Sequence, residues 1–176
     1  MSHHGHRGLF AVPSEWFSLL ELKEGETVVD VGSGPGRFAI PIAKIVGPSG
    51  KVYAIDIDED SLNDVRERAS REGLANVVTI RADATKGLPL PAGAADLVLM
   101  ANVLHGFVHS GHGLRVLGEA ARVLKGGGRL AVFEFVKRFT AFGPPPWIRI
   151  SPEEVIELAT AAGFELSKRV DDIGHS

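Results

Sequence analysis

The sequence predicts an α/β fold of the doubly wound type, with a mostly parallel sheet and helices on both faces. Three observations indicate this fold class. Short β-branched runs alternate with amphipathic stretches of helical period, the connections between them are short, and the first run ends in closely spaced glycines. Alternating strands and helices are typical of parallel sheets, because each crossover returns the chain over the sheet in a helix. With 176 residues, the chain is expected to form one domain over 13–176, preceded by a mobile segment, 1–12.

The predicted elements are bounded by local signals. Proline, glycine and acidic residues mark the helix ends, and Ser151 to Glu154 reads as a capping box. Gly47 and Gly163 are expected to end the helices that precede them. The predicted strands cover 27–31, 51–56, 77–81, 96–101, 129–136 and 164–170. The predicted helices cover 13–20, about 36–46, 58–72, about 112–124 and about 151–162.

Each predicted helix carries an apolar face at a spacing of three and four residues, which is expected to pack on the sheet. The faces of the four longer helices are predicted to be Phe38, Ile42 and Ile45; Leu62, Val65 and Ala69; Leu114, Leu117, Ala121 and Leu124; and Val155, Leu158, Ala159 and Ala162.

Composition narrows the classes of function. Hydrophobic residues make up 44% of the chain, charged residues 23%, and the net charge is −3. A protein that binds nucleic acid through its phosphates usually carries a basic excess, so a nucleic-acid partner is not expected. The absence of cysteine excludes disulfides, thiolate metal sites and cysteine nucleophiles. We see no apolar run of membrane-spanning length and no signal peptide, which predicts a cytoplasmic protein without a membrane span.

A glycine-rich turn follows the first predicted strand. Residues 27–38 read TVVDVGSGPGRF, with glycine at 32, 34 and 36. Glycines without a Cβ let a ligand approach bare main chain, and the following helix directs free N–H groups toward it. The pattern therefore indicates a nucleotide-binding turn. Its spacing differs from the G-x-G-x-x-G of dinucleotide-binding proteins.

The turn, preceded by Asp30, closely resembles motif I of the class I S-adenosylmethionine (SAM)-dependent methyltransferases. The stretches 96–105 (DLVLMANVLH) and 121–135 (ARVLKGGGRLAVFEF) resemble the fourth and fifth strand motifs of that family, so the resemblance covers about 28–163. It is greatest to small methyltransferases of the ubiquinone/menaquinone-biosynthesis type. The resemblance implies a Rossmann-like sheet, SAM as cofactor and methyl transfer by direct displacement. Relatives usually add a final antiparallel strand, which this chain is expected to lack. Either the chain is truncated before that strand or an edge of the sheet is left unpaired, and a homodimer could cover such an edge.

The resemblance also implies roles for individual residues. The amino-acid end of SAM would face the turn, Asp30 would organise the turn, and Asp56, at the end of strand two, would hold the ribose hydroxyls. Asp83 would meet the adenine amino group and the Ala84 backbone the adenine ring. The predicted cofactor-binding residues are Asp30, Gly32, Ser33, Gly34, Gly36, Asp56, Ile57 (an apolar wall for adenine), Asp83, Ala84 and Ala101.

His105 is the candidate catalytic residue. It follows strand four beside the expected methyl donor, and imidazole suits proton transfer because its ordinary pKa lies near neutral. A histidine that only caps or packs a short helix is the alternative. His105, His109 and His112 would share one face of a continuous helix, but Gly106, Gly111 and Gly113 oppose such a helix, so no metal is predicted. His3, His4 and His6 are interpreted as part of the mobile N-terminal segment.

The methyl acceptor is left open, as an oxygen, nitrogen or carbon nucleophile of a small molecule or a protein. Aromatic residues that could line its pocket are Phe10, Trp16, Phe107, Phe139, Phe142 and Trp147.

Two functions other than methyl transfer are considered. A nicotinamide-dependent oxidoreductase is opposed by the glycine spacing and by the lack of a Tyr-x-x-x-Lys pair, since Tyr53 is the sole tyrosine. A non-catalytic SAM-binding module is the second alternative.

Overall fold

The computed structural model describes residues 11–138 and 140–173. The six α-helices of this part of the chain are α1 (Ser14–Ser18), α2 (Ala39–Val46), α3 (Glu59–Arg71), α4 (Leu104–His109), α5 (Gly113–Val123) and α6 (Pro152–Ala161). The five strands are β1 (Thr27–Val31), β2 (Lys51–Asp56), β3 (Val77–Arg81), β4 (Ala95–Ala101) and β5 (Leu124–Phe133). Two short 3₁₀ helices lie at Ala84–Lys86 and Pro146–Ile148. The expected mobile segment, with its histidines, lies almost wholly outside the described residues.

The strands form one sheet in the order β3-β2-β1-β4-β5, and every neighbouring pair is parallel. This confirms the predicted doubly wound α/β fold. The order places β1 in the centre, with β2 and β4 on either side. The chain changes direction across the sheet between these strands, so the loops that follow β1 and β4 meet at the carboxyl edge.

The two faces of the sheet carry separate cores. Alternate residues of β1 show the division, since Val28 packs in one core and Val29 in the other. The first core holds α2 and α3, including Ile42 and Val65. The second holds α5, including Leu117, and half-buried residues of α6 pack against it. Helices therefore cover both faces, as the sequence predicts.

Two predicted helix faces need correction. Leu114 is 51% exposed and Ile45 42% exposed. In α5 the buried set is Gly113, Val116, Leu117, Ala120 and Val123, which is also a helical stripe but one rotated from the predicted stripe. Both stripes have the right period, and the contact with the sheet decides between them. By contrast, the predicted face of α3 is buried as expected.

The predicted sixth strand, 164–170, is wrong. The segment follows α6 without strand pairing and its side chains are largely exposed. Phe164 packs against the second core, and Arg169 forms ion pairs with Glu153 of α6 and with Asp171. A strand requires a neighbouring strand for its backbone hydrogen bonds, and this segment is held against α6 by side chains instead. The fifth strand also begins earlier and ends earlier than predicted, leaving Glu134 just beyond it.

Several predicted turn signals are confirmed. Ser151 and Glu154 form the reciprocal capping box. Gly47 and Gly163 follow their helices with φ values of 71° and 98°, which favour glycine. Pro41 is the third residue of α2, within the first turn, where a missing N–H removes no intrahelical bond.

Among the described residues, none of the helices has the length and hydropathy needed to cross a bilayer.

Candidate functional site

The glycine turn joins the end of β1 to the end of β2. The backbone N–H groups of Gly32 and Ser33 both donate to the carbonyl of Ile55, at 2.8 and 3.0 Å. Gly36 N–H then donates to the carbonyl of Ser33, and α2 begins three residues later. These bonds hold the turn at the carboxyl edge of the sheet, where parallel α/β folds bind ligands.

The glycines of the turn serve different purposes. A Cβ at Gly32 would lie 2.5 Å from Cγ1 of Val103, so the loop after β4 packs directly on this residue. A Cβ at Gly36 would lie 3.1 Å from Val65 of α3. Gly34 has a φ of 53° and no heavy atom within 4 Å of its Cβ position. Gly32 and Gly36 therefore satisfy packing, whereas Gly34 leaves bare backbone beside open space.

Asp56 connects the turn to the end of β2. Its Oδ2 accepts a hydrogen bond from Gly34 N–H at 2.8 Å, and its Oδ1 accepts one from Asp58 N–H at 2.9 Å. Each carboxylate oxygen has two lone pairs, so each keeps capacity for one more donor. The side chain is half-buried and thus accessible to a ligand at the edge. This placement suits the predicted ribose contact.

Asp30 lies beneath the turn and is 1% exposed. Its Oδ2 has no hydrogen-bond partner among the described residues. The pKa of its carboxyl group is raised to about 7, first by burial and then by the charge of Asp56, while Arg37 acts in the opposite direction. A buried carboxylate without a partner is costly, so the site suits a cationic or hydrogen-bond-donating ligand.

The predicted adenine contacts lie at the ends of β2 and β3. Asp83 caps the 3₁₀ helix, with its Oδ1 accepting from Thr85 N–H at 3.0 Å and from the Thr85 hydroxyl at 2.7 Å. These hydrogen bonds, the hydroxyl first, hold the pKa of Asp83 below its ordinary value. Ala84 is buried, while Ile57 is 62% exposed and available as an apolar wall. Asp83 also borders an open depression of about 500 Å³.

The loop after β4 completes the edge. Ala101 is half-buried at the end of the strand. Asn102 has a φ of 57°, and its N–H donates to the carbonyl of Phe133 at 2.7 Å. The role of Asn102 in this turn is not predicted from the sequence, although asparagine tolerates positive φ better than most residues. The turn directs Val103 onto Gly32 and starts α4 beside the glycine turn.

His105 and Glu134 form a buried pair that the sequence analysis missed. The His105 Nδ1 lies 2.8 Å from Glu134 Oε2, and His105 N–H donates to Glu134 Oε1 at 3.0 Å. The two side chains are only 12% and 8% exposed. An ionised carboxylate can only accept, so Nδ1 carries the proton and Nε2 of the neutral ring remains an acceptor. The feature of the sequence that could have identified Glu134 as a functional residue is its position as the one acid inside the apolar run AVFEFV.

His105 also lines a groove of about 520 Å³ between α4, Lys137, residues 147–150 and α6. The walls combine apolar side chains, among them Trp147 and Leu158, with charged ones such as Lys137 and Glu157. Val103, two residues before His105, contacts Gly32, so the start of α4 lies beside the glycine turn. Of the other aromatic candidates, Trp16 and Phe107 pack in the two cores, whereas Phe142 is exposed; Phe10 and Phe139 lie outside the described residues.

The three central histidines do not share one helix face. His105 and His109 belong to α4, while His112 precedes α5 after a turn at Gly111. Within 11–138 and 140–173, no group of three or more histidine, aspartate and glutamate side chains has an arrangement that could hold a metal ion.

Comparisons with known proteins agree with this geometry. A family model described as a methyltransferase domain matches residues 22–166. The ubiquinone/menaquinone biosynthesis C-methyltransferase UbiE of Pseudomonas entomophila is 38% identical over 120 residues, which are 68% of this chain and 45% of that protein. The chain thus spans less than half the length of such curated relatives.

Solved structures give the same assignment. A SAM-dependent methyltransferase from Aquifex aeolicus superposes with a TM-score of 0.80 at 35% identity, covering 88% of this chain and 81% of that chain. The [4+2]-cyclase SpnF superposes with a TM-score of 0.73 at 28% identity, covering 88% of this chain and 58% of that chain. The chain therefore belongs to the methyltransferase-domain family, and it is a SAM-dependent methyltransferase domain of the class I Rossmann-like fold.

Proposed function

We propose that this domain transfers the methyl group of SAM to a small molecule bound in the groove beside His105. The observation that carries the proposal is the His105–Glu134 pair, which lies at the carboxyl ends of β4 and β5. Val103, two residues before His105, packs on the glycine turn. An acceptor in the groove would lie between this pair and the donor side of the site. The C-methylation named for UbiE is one form of this reaction, and an oxygen or nitrogen acceptor is another.

On the donor side, we assign to the residues the roles that the resemblance implies. Gly34 offers open backbone to the amino-acid end of SAM, and Asp56 keeps free acceptor capacity for the ribose hydroxyls. Ile57 and Asp83 lie at the strand ends where adenine would stack and pair. The orphaned Oδ2 of Asp30 lies below the turn, where a cationic ligand would stabilise the carboxylate. The residues present thus fit SAM.

When bound, SAM supplies an electrophilic methyl group on a positively charged sulfur. The chain itself supplies orientation and a proton acceptor. Glu134 fixes the tautomer of His105, whose Nε2 can take the proton that an acceptor hydroxyl loses as its oxygen becomes nucleophilic. The same contact holds the ring in one orientation, and the low exposure of both side chains limits competition from water.

The proposal is tested with SAM carrying a labelled methyl group, incubated with the protein and host-cell extract. The extract is then separated into protein, nucleic-acid and solvent-soluble fractions. We expect label in the solvent-soluble fraction. Label confined to the protein or nucleic-acid fraction would contradict a small-molecule acceptor while still showing transfer.

The binding-module alternative has a different outcome. If no fraction takes up label while S-adenosylhomocysteine (SAH) still raises the melting temperature, the domain binds its cofactor without turnover. That result would refute the catalytic proposal. A control without protein measures the background methylation by enzymes of the extract.

A further inference from the structure

The guanidinium of Arg149 is the most extensively bonded side chain beside the groove, and the reaction as proposed does not use it. Arg149 is 3% exposed. Among the described residues, no carboxylate forms an ion pair with it within 4 Å, so its charge is compensated in another way. Its neighbours are oxygen atoms of one segment, which we call the strap: residues 136–138 and 140–148.

The strap wraps around the guanidinium. Arg149 Nε donates to the carbonyl of Pro144 at 2.6 Å, and Nη1 donates to the carbonyls of Val136 and Arg138 at 2.9 and 2.6 Å. Nη2 donates to the Thr140 hydroxyl at 2.8 Å and to the Phe142 carbonyl at 3.2 Å. Charge-assisted hydrogen bonds are stronger than neutral ones, and five of them converge on one planar group with fixed donor directions.

A second contact orients the guanidinium itself. The Arg149 Cζ lies 5.2 Å from the ring centroid of Phe135, over the ring. Gly143, with a φ of 93°, approaches the same ring so closely that a Cβ there would lie 2.8 Å from ring atoms. Phe135 therefore contacts both the guanidinium of Arg149 and the strap backbone at Gly143.

Trp147 is the residue that this arrangement exposes. It lies in the 3₁₀ helix Pro146–Ile148, two residues before Arg149, and is 75% exposed. It nevertheless lines the groove that contains His105. The indole offers a large apolar face and an N–H donor, so a ligand in the groove can pack on it. Arg149 thus determines where this wall of the groove stands.

We propose that Arg149 is a positioning residue and Trp147 a specificity-determining residue for the methyl acceptor. Arg149 holds the strap in the shape that presents Trp147 to the groove, and Trp147 contacts the acceptor. The inference rests on the proposed function, because it assigns the groove to the acceptor. It is also separable from that function, because the position of Trp147 can be measured without turnover.

The first experiment follows Trp147 by fluorescence. The chain has two tryptophans, so Trp16→Phe leaves Trp147 as the sole reporter. In that background, Arg149→Met is expected to lower the anisotropy of Trp147 and to increase its quenching by acrylamide. Arg138→Met is the matched control, because Arg138 belongs to the strap but its side chain is exposed and pairs with Asp172. If the Trp16→Phe protein and its Arg149→Met and Arg138→Met variants gave equal anisotropy and equal quenching, the positioning role would be overturned.

The second experiment uses the labelled-methyl assay with the solvent-soluble extract fraction as acceptor. Trp147→Ala and Arg149→Met are each expected to raise the amount of fraction needed for half-maximal rate about tenfold, with the maximal rate little changed. Trp147→Phe is expected to retain most of the affinity, and SAH binding should stay as in the wild type. Parallel losses of maximal rate and SAH binding would show a merely structural role. Uptake of label by no fraction would refute the proposed function and the acceptor role together, whereas the fluorescence result for Arg149 would stand.

Discussion

The donor and acceptor sides of the proposed site are built in different ways. On the donor side, the loops after β1 and β2 are held by backbone hydrogen bonds and by Asp56, which accepts from Gly34 and Asp58. On the acceptor side, side chains distant in sequence make the decisive contacts, such as His105 with Glu134 and Arg149 with the strap. The donor side thus depends on backbone conformation and the acceptor side on a few replaceable side chains. Substitutions should therefore affect cofactor binding and turnover separately.

The largest difference between the effect on turnover and the effect on cofactor binding is expected from substitution of His105. His105→Ala should lower the maximal rate of methyl transfer by about 10²–10⁴-fold if the acceptor must lose a proton, because general base catalysis contributes that much. SAH should still raise the melting temperature by the wild-type amount. Glu134→Gln should lower the rate less and alter its pH profile, since an amide can donate as well as accept and no longer specifies which nitrogen of His105 carries the proton.

His109→Ala is the matched control for this prediction. His109 lies in the same short helix and also lines the groove, but Glu134 contacts His105 instead, so loss of His109 should leave the maximal rate unchanged. An unchanged rate and pH profile for His105→Ala would eliminate the base hypothesis and leave His105 a structural residue. The label assay of the solvent-soluble fraction provides all three rates.

On the donor side we expect a smaller effect, which falls on stability and cofactor binding instead of the maximal rate. Gly32→Ala would place a Cβ 2.5 Å from Val103 at a φ of 71°. We expect it to lower the free energy of unfolding by about 1–3 kcal/mol, as overpacked cores do, and to weaken SAH binding. Gly118→Ala is the control, since Gly118 lies in α5 at an exposed position with open space around its Cβ position. It should raise the free energy of unfolding by up to about 1 kcal/mol.

Denaturant unfolding with and without SAH measures both quantities. If Gly32→Ala bound SAH as tightly as the wild type, the glycine turn would not be the cofactor site. If it bound poorly while its maximal rate at saturating SAM stayed normal, the division between donor and acceptor sides would be sharpened.

The smallest expected effect concerns Asp30 and pH. Its carboxyl has a pKa of about 7 in the folded chain, against an ordinary value of 3.8, so bound cationic SAM should release its proton. SAM affinity is expected to fall by up to about tenfold per pH unit below 7 and to be constant above it. Asp30→Asn should remove this dependence, and Asp64→Asn, at an exposed position of α3, should retain it. Titration calorimetry between pH 5.5 and about 8 measures the slopes.

The stability of the free protein provides a check of the same pKa. The folded state holds a proton on Asp30 that the unfolded chain releases, so this contribution to stability is complete below pH 3.8 and is lost as the pH rises through 7. Asparagine does not ionise. The stability of Asp30→Asn relative to wild type should therefore increase between these pH values and stay constant above them. A difference that does not vary with pH would contradict the raised pKa.

The sequence by itself determined the backbone of the donor side. The bounds of β1, β2 and β3 are those predicted, and so is the turn at Gly32, Gly34 and Gly36. These elements depend on β-branched runs, on glycines that require positive φ and on helix caps. Each of these signals acts within a few residues, so the local sequence specifies it. The resemblance to methyltransferases also depended on these local patterns, and the family comparison confirmed it.

Only the tertiary structure decided the acceptor side. Glu134 is 29 residues from His105, and no local pattern links them. Arg149 reads as an ordinary surface arginine until the strap encloses it. Residues 164–170 have the alternation of a strand, but strand formation requires a partner, and contacts with α6 take its place. These features depend on contacts between residues that are distant in the sequence. The hydrophobic period and the turn residues do not specify such contacts.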